Sequence, residues 1–341
     1  MGRVVVIGAT GQIGRPAVNA LVRDGWEVTA ASYGGGREET WPREVRAVRL
    51  DREDGRALAR VVGDGCDVLV DVVAFGVPHA RQLLSLADRV GSAVVVSSVS
   101  VYEDGEGRGF DTQDRPDGFP RYPVPLPESQ RTVAPGEATY STRKVALERE
   151  LLAAADRLPA TLLRAGAIHG PHCRSPRELY FVKRNLDGRR RRVLAYGGRS
   201  RFHPASALNI AELVRLAAAR PGSRVLNACD AEAPTVAEIG AAIDAVMGVE
   251  NETVLVDGAP PAPGVGETPW SVPHPVVADM SAAERELGYR PVVAYRDSLA
   301  RTVAWIEDRL AGRDWRSAYP QMARAYGDLF DYAAEDAWLR G

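Results

Sequence analysis

Short apolar runs alternate with amphipathic stretches over the first hundred residues of the chain. Runs of Val, Ile, Leu and Ala bounded by Gly or polar residues predict five buried strands, Arg3–Ile7, Glu27–Ala31, Val45–Leu50, Val68–Val73 and Ala93–Ser97. Apolar positions at helical spacing predict helices between them, over Gln12–Arg23, around Arg56–Val62 and over His79–Val90. This alternation is typical of an α/β fold with a doubly wound parallel sheet and helices on both faces.

The pattern breaks between Glu103 and Glu137, a stretch that holds six Pro, five Gly and eight acidic residues. A loop of this length is usually functional or disordered. Beyond it, periodicity predicts a helix over Thr139–Asp156, a strand at Thr161–Leu163 and helices near Ile210–Ala219 and Ala237–Val246. The C-terminal third is predicted to be mostly helical. We expect a first domain over residues 1–170, with elements around 203–230 returning to it, and a smaller, mostly helical region over 171–341.

The composition excludes several classes of protein. The 341 residues carry a formal net charge of −2, which argues against nucleic acid or an anionic membrane as the main partner. Three well-separated cysteines do not make a disulfide framework and fit a reducing compartment. No apolar run reaches the ~18 residues of a membrane span, and the N-terminus does not have the pattern of a secretory signal. We therefore expect a cytoplasmic protein with no membrane partner.

A glycine-rich turn, Gly8-Ala-Thr-Gly11-Gln-Ile-Gly14, joins the first predicted strand to the first predicted helix. Glycines at this spacing permit a tight turn and a close approach of the backbone to a pyrophosphate, which the N–H groups of the helix N-terminus can bind. The spacing alone is a weak signal, but its position between a Val-rich strand and an amphipathic helix makes it specific. We expect a Rossmann-like, dinucleotide-binding first domain, with the cofactor held by Gly8, Thr10, Gly11, Gln12, Ile13 and Gly14.

The end of the second predicted strand bears on which dinucleotide is bound. An acidic residue there would bind the ribose hydroxyls of NAD, but the sequence reads Ala31-Ser32-Tyr33-Gly34-Gly35-Gly36-Arg37. Because Ser32 and Arg37 suit a 2′-phosphate, NADP is favoured over NAD; the alternative is that Arg37 points into water. Asp51 and Arg52, after the third strand, stand where an adenine edge can be read, although Asp51 is also suited to cap a helix.

A second group of residues carries the chemistry. Tyr140 and Lys144 are four residues apart at the start of a predicted helix, which puts the phenol and the ammonium on one face. The pair is informative because the chain has 41 Arg and only two Lys, Lys144 and Lys183. Ser98 ends the fifth strand, at the edge where open parallel sheets bind ligands. Each residue alone has an ordinary structural explanation, but together with the glycine loop they predict a catalytic group around one carbonyl or alcohol.

These motifs resemble the short-chain dehydrogenase/reductase superfamily, in particular the atypical members of the extended type, the NAD-dependent epimerase/dehydratase family. The resemblance covers most of residues 3–230. It rests on Gly8–Gly14, Asp51, the strand Asp67–Ala74, Ser97-Ser98-x-x-Val101-Tyr102, Tyr140–Lys144, Leu163-Arg164 and Ile168-x-Gly170-Pro171.

The resemblance implies a mechanism and several further roles. Tyr140 is the general acid or base, Lys144 lowers its pKa and holds the nicotinamide ribose, and Ser98 orients the substrate oxygen while a hydride moves between substrate and nicotinamide. Val73 and Ala74 line the cofactor path. Arg201 matches an arginine that grips the substrate diphosphate in nucleotide-sugar members. The helix Thr139–Asp156 implies a homodimer, since it belongs to the dimer-forming bundle of relatives.

The sequence departs from the family pattern after Ser98, where Val99 and Ser100 replace the Asp-Glu of the 4,6-dehydratases and argue against sugar dehydration. We expect an NAD(P)-dependent oxidoreductase, first of all a carbonyl reductase or dehydrogenase acting on a small molecule, with residues 171–341 mainly binding the substrate. A nucleotide-sugar epimerase with bound cofactor and a non-catalytic, dinucleotide-sensing scaffold are the alternatives. His169, His172 and Cys173 offer three metal ligands, but no fourth is apparent, and no metal is predicted.

Overall fold

The structure is a computed structural model that describes residues 2–340. The chain divides into two compact units. The first runs up to Gly166 and includes Ala207–Cys229 and Ala278–Val292; the second comprises Ala167–Ser206, Asp230–Val277 and the chain from Val293 onward. Within residues 2–340, no helix has both the length and the apolar character needed to cross a bilayer.

Eleven strands are present in the described residues. They are β1 Arg3–Ile7, β2 Glu27–Ser32, β3 Arg46–Arg49, β4 Cys66–Asp71, β5 Val90–Ser98, β6 Ala160–Ala165, β7 Ala167–His169, β8 Arg191–Leu194, β9 Pro204–Ser206, β10 Arg224–Ala228 and β11 Glu252–Leu255.

The same residues form twelve α-helices. They are α1 Gly14–Arg23, α2 Gly55–Val62, α3 Val77–Leu84, α4 Tyr140–Ala153, α5 Leu179–Leu186, α6 Ala207–Ala219, α7 Val236–Met247, α8 Ser281–Leu287, α9 Tyr295–Leu310, α10 Trp315–Ala318, α11 Pro320–Tyr326 and α12 Tyr332–Arg340.

The first unit is built on a seven-stranded parallel sheet, which confirms the predicted fold class. Its strand order is β10-β6-β5-β4-β1-β2-β3. One face packs against α2, α3 and α4 through buried side chains such as Leu58, Leu83 and Leu147. Helix α6 covers the other face and packs against α1 and α8. The strand order reverses direction between β1 and β4, and such a switch point leaves a crevice at the carboxyl ends of the strands.

Two predicted elements are placed differently in the structure. The helix predicted over His79–Val90 ends at Leu84, because Val90 pairs with Cys66 in the sheet and opens β5. The fourth strand ends at Asp71 instead of Val73, because the Asp71 carboxylate accepts the backbone N–H of Val73 at 3.0 Å and turns the chain. In both places tertiary pairing or a side-chain turn outweighs local apolar periodicity.

The second unit contains two small parallel ladders, β8 with β11 and β7 with β9, and a core around Phe181, Trp270 and Leu299. Its most buried ion pair joins His169 at the end of β7 to Asp230, with Nε2 2.6 Å from Oδ2. The other Asp230 oxygen accepts the N–H of Ser206 in β9 at 2.7 Å. Burial alone would lower the pKa of His169, but the hydrogen bond and the charge of Asp230 outweigh it and raise this pKa above 6.5.

This pair makes the stability of the protein depend on pH. Because the folded-state pKa of His169 is raised, its contribution is fully present below the unfolded value of ~6.5 and is lost as the pH rises through the folded value. We expect His169→Gln to lower the free energy of unfolding by roughly 3–5 kcal/mol at pH 6, as breaking a buried pair does, and by less at higher pH. Urea unfolding at several pH values measures this.

The exposed His172 supplies the control for that experiment. His172→Asn should leave the pH dependence as it is in the wild type, since Asn tolerates the positive φ of 65° at this position. Equal losses in His169→Gln at pH 6 and at pH 9 would contradict the assignment of the ionised pair.

Candidate functional site

The glycine loop lies at the switch point of the sheet, between β1 and α1. Gly8 follows Ile7, which pairs with Asp71 of β4, so the loop meets the segment that follows β4. A Cβ atom on Gly8 would lie 2.7 Å from Val73, and one on Gly14 would lie 2.2 Å from the carbonyl oxygen of Gly8. Both distances are shorter than any real Cβ contact, so the close packing of loop, strand and helix requires glycine at these two places.

The N-terminus of α1 has no side-chain cap. Ile13 precedes the helix and supplies none, while the backbone N–H groups of Arg15 and Ala17 donate to the carbonyls of Gly11 and Ile13, both at 3.1 Å. Gly11 is exposed, Gln12 half-buried, and the Thr10 carbonyl accepts Arg15 Nε at 2.8 Å. All six predicted loop residues therefore lie in one turn whose backbone fits a pyrophosphate, and the residues present fit a dinucleotide.

The polar groups after β2 do not all face a ligand, as the prediction of a 2′-phosphate site at Ser32 and Arg37 had assumed. Ser32 is buried at the end of β2, and its hydroxyl accepts the N–H of Gly35 at 3.2 Å. The guanidinium of Arg37 donates to the backbone carbonyls of Val45 at 2.7 Å and Trp41 at 2.9 Å, and also to that of Pro42. Arg37 is thus held against its own loop, so a contact with a 2′-phosphate would require it to exchange these acceptors.

A different arginine stands beside Ser32. Arg49 pairs with Ser32 across β2 and β3, is exposed, and has its guanidinium carbon 5.9 Å from the ring centroid of Tyr33. Its backbone and Cβ also lie against Gly35, where an added Cβ would be 2.8 Å from the Cβ of Arg49. The sequence analysis missed Arg49 because the signal that identifies it is the strand pairing.

Asp51 and Arg52 separate in the structure. Asp51 is exposed and accepts the N–H of Glu53 at 3.0 Å, while the helix that follows is capped by Asp54, so the alternative of Asp51 as a helix cap is wrong. Arg52 is 9% exposed and donates from Nε to the fully buried Asp71 at 2.7 Å. A charge in a buried strand needs a partner, and that demand accounts for the position of Arg52.

Ser98, Tyr140 and Lys144 come together at the carboxyl end of β5 and the N-terminus of α4. Lys144 Nζ donates to the carbonyls of Ala74 at 2.7 Å and Val96 at 2.9 Å, and lies 5.7 Å from the centroid of the Tyr140 ring. Ser98 is near enough to the phenol of Tyr140 to lower its pKa. Tyr140 also packs against Phe75 with ring centroids 5.5 Å apart, and Val73 is 43% exposed beside this group while Ala74 is buried.

The electrostatics of this group follow from burial. Lys144 is 5% exposed, and desolvation lowers its pKa to about 8, against the opposing charges of Asp71 and Glu148. Tyr140 keeps 45% of its surface exposed, yet the protein atoms around it raise the pKa of the phenol by desolvation, while the nearby Ser98 hydroxyl opposes that rise. Both groups are therefore protonated at neutral pH in the chain by itself.

A buried hydrogen-bond network, which was not predicted from the sequence, ties α4 to the strands of the sheet. Glu148, one turn after Lys144, accepts from Arg164 of β6 at 2.6 Å and from the Ser97 hydroxyl at 2.5 Å. Arg164 lies over the ring of Tyr102, 4.7 Å from its centroid. The signal for this network was the presence of charged residues at otherwise apolar positions of a strand and a helix, since such charges are rarely buried without a partner.

Arg201 belongs to the second unit and lines a cavity of about 300 Å³ there. Its guanidinium donates to the carbonyl of Ala233 at 2.7 Å, and Arg296 lines the same cavity together with Glu232 and Glu238. Hydrogen bonds from Thr235 lower the pKa of Glu238, and the charges of Arg201 and Arg296 lower it further. Two guanidinium groups therefore act on one cavity, of which the sequence analysis identified one.

The comparisons with known proteins agree with this geometry. Residues 4–228 match the NAD dependent epimerase/dehydratase family, and no curated protein matches the sequence. The solved structures similar to this chain include a UDP-galactose 4-epimerase, with 20% sequence identity, a TM-score of 0.64, and coverage of 90% of this chain and 99% of that one.

Two further solved structures show the same fold. MoeE5 in complex with UDP-glucose and NAD is 22% identical, with a TM-score of 0.65 and coverage of 91% of this chain and 100% of that one. The UDP-N-acetylglucosamine 4-epimerase from Methanobrevibacter ruminantium M1 in complex with UDP-N-acetylmuramic acid is 18% identical, with a TM-score of 0.68 and coverage of 91% and 99%. With the family match covering well over half of its length, the chain belongs to the NAD-dependent epimerase/dehydratase family.

Proposed function

We propose that this protein oxidises and reduces a hydroxyl-bearing carbon of a nucleotide sugar, with Tyr140 as the acid and base, and that epimerisation is its net reaction. The observation that carries the proposal is the placement of Lys144. A buried ammonium beside an accessible phenol carries a desolvation cost that an apolar side chain in the same space would not. Such a cost is expected where a perturbed group serves chemistry.

The three side chains divide the work between them. Tyr140 takes the proton of the substrate hydroxyl as the carbon is oxidised and gives it back when the carbon is reduced. The positive charge of Lys144 favours the phenolate form that the first of these steps needs. Ser98 donates to the substrate oxygen and orients it toward the phenol. A bound nicotinamide would supply the hydride chemistry at the substrate carbon.

The cofactor would be held by the backbone of Gly8–Gly14, by Lys144 at the nicotinamide ribose and by the segment Val73–Ala74. On its adenosine side, Asp51 is exposed and free to meet the adenine edge, whereas Arg52 is engaged with Asp71. NAD accompanies UDP-glucose in the MoeE5 structure. We propose that either NAD or NADP binds here and that any preference for NADP rests on Arg49 more than on Arg37, since Arg49 is exposed beside Ser32.

Epimerisation is favoured over net carbonyl reduction for two reasons. The similar structures named above bind or act on UDP-linked sugars. The cavity of the second unit carries Arg201 and Arg296, and planar guanidinium groups bind the oxygens of a diphosphate in pairs. We also propose, from the family resemblance, that the protein forms a homodimer through α4, which analytical ultracentrifugation can test.

Cofactor binding is the first measurement. We expect quenching of Trp fluorescence on titration with NADH and NADPH, with Arg49→Ala weakening NADPH binding roughly tenfold and leaving NADH binding unchanged, since a phosphate contact is lost. Arg37→Ala is the matched comparison and should have the smaller effect on NADPH. If neither dinucleotide binds, the proposed activity is wrong.

Turnover is measured separately on NAD-loaded protein with UDP-glucose, UDP-galactose and their N-acetyl derivatives, by NMR of the sugar anomeric protons. We expect conversion between C4 epimers without net formation of NADH. Tyr140→Phe should lower kcat by about 10²–10⁴-fold and leave NADH binding intact, because it removes only the acid/base group. Tyr326→Phe, at an exposed tyrosine, is the control. Stoichiometric consumption of NADH or NADPH with a ketosugar would instead identify a reductase.

A further inference from the structure

The long loop between Ser98 and Tyr140 is an ordered structure centred on one buried carboxylate. Asp104 is 2% exposed and accepts the backbone N–H groups of Glu106 at 2.9 Å, Arg108 at 3.0 Å and Arg121 at 2.9 Å. Arg108 Nε adds a further bond at 2.8 Å. Burial raises the pKa of this carboxyl, but the hydrogen bonds outweigh it and lower the pKa to about 2. The start and the end of the segment Asp104–Arg121 are therefore tied together at every working pH.

The interior of this segment is fixed as well. A short 3₁₀ turn, Phe110–Thr112, is closed by the Thr112 hydroxyl, which lies within hydrogen-bond distance of the carbonyls of Gly118, at 2.7 Å, and Gly109, at 2.9 Å. The rings of Phe110 and Phe119 meet edge to face with centroids 5.8 Å apart. The central residue of the turn, Asp111, is thus carried on a rigid platform, although it is itself exposed.

The carboxylate of Asp111 contacts the two hydroxyl residues that flank Tyr140. Its Oδ2 accepts the Thr139 hydroxyl at 2.6 Å, and its Oδ1 accepts the Ser141 hydroxyl at 3.0 Å. Thr139 is the N-cap of α4, so Tyr140 and Ser141 are the first two residues of the helix. First turns fray when nothing holds them, and a carboxylate at a helix N-terminus is also favoured by the helix dipole.

We propose that Asp111 is a positioning residue for Tyr140. By holding the hydroxyl groups on both sides of Tyr140, it fixes the first turn of α4 and with it the place of the phenol beside Ser98 and Lys144. The effect on catalysis rests on the proposed function, whereas the effect on the position of the Tyr140 side chain does not. The long loop between Ser98 and Tyr140 thus has a role in the site, because it carries Asp111.

The test compares three variants of the whole protein. Asp111→Asn keeps the shape of the side chain and removes its charge, and Ser141→Ala removes one of the two bonds without changing any charge. Asp114→Asn is the matched control, because Asp114 is exposed on the same loop and makes no hydrogen bond or ion pair within residues 2–340. The titration of Tyr140 is read from tyrosinate absorbance, as the difference between each variant and the same variant carrying Tyr140→Phe.

In the wild type the protein raises the pKa of Tyr140, so a phenol that leaves its position should titrate closer to the ordinary value near ~10. We expect Ser141→Ala and Asp111→Asn both to move the midpoint downward by at least ~0.5 pH unit, with Asp114→Asn unchanged. Hydrogen–deuterium exchange of the first turn of α4 should accelerate in the same two variants. For a nucleotide sugar that the wild type converts, kcat should fall about tenfold while the KM for NAD stays constant.

A shift in Asp111→Asn without one in Ser141→Ala would be an effect of charge alone and would overturn the proposal, as would equal titrations in all proteins. The titration requires neither cofactor nor turnover. Failure to bind a dinucleotide or to convert a nucleotide sugar therefore contradicts the proposed function and leaves this test standing on its own result.

Discussion

The candidate site depends on a buried ammonium that two strand ends hold in place. Lys144 Nζ donates to the carbonyl of Ala74, after β4, and to that of Val96 in β5, so its position is set by the sheet as well as by its own helix. The fall of its pKa from 10.5 to about 8 means that keeping it charged at neutral pH costs the fold roughly 3 kcal/mol. The folded state binds fewer protons than the unfolded chain between these two values, so the cost is present below pH 8 and relieved above it.

The residues around Lys144 partly offset the free-energy cost of burying its charge. Asp71 is itself buried and neutralised by Arg52, and its other oxygen holds the N–H of Val73, one residue before the carbonyl that Lys144 uses. On the opposite side Glu148 is paired with Arg164. Each of these two carboxylates favours the charged lysine, and each is paired with an arginine of its own. A cation placed in this way is held rigidly, which suits a group that must act on one neighbouring phenol.

Local sequence signals were sufficient for six of the seven strands of the sheet, all but β10, and for the glycine loop and the Tyr140–Lys144 pair, because strand and helix periodicity and i, i+4 spacing are properties of neighbouring residues. They were insufficient wherever a long-range partner decides the outcome. Arg37 turns to carbonyls four to eight residues away, Arg52 to an aspartate in another strand, and Val90 enters the sheet because Cys66 is there to pair with it. The short strands β7 to β9 and β11 have three or four residues each, too few for a period to be read.

The contrast between Arg37 and Arg49, the two arginines near β2, shows that the local sequence does not reveal neighbours across the sheet. Both arginines are close to Ser32. Arg37 is near it along the chain, and Arg49 is paired with it across the sheet. Arg49, the neighbour across the sheet, stays exposed beside Ser32, whereas Arg37, the neighbour along the chain, donates to backbone carbonyls of its own loop. Backbone carbonyls in a loop must find donors, and a nearby guanidinium satisfies several at once. A cationic residue in a glycine-rich loop is therefore a weaker indication of phosphate recognition than one at the end of the adjoining strand.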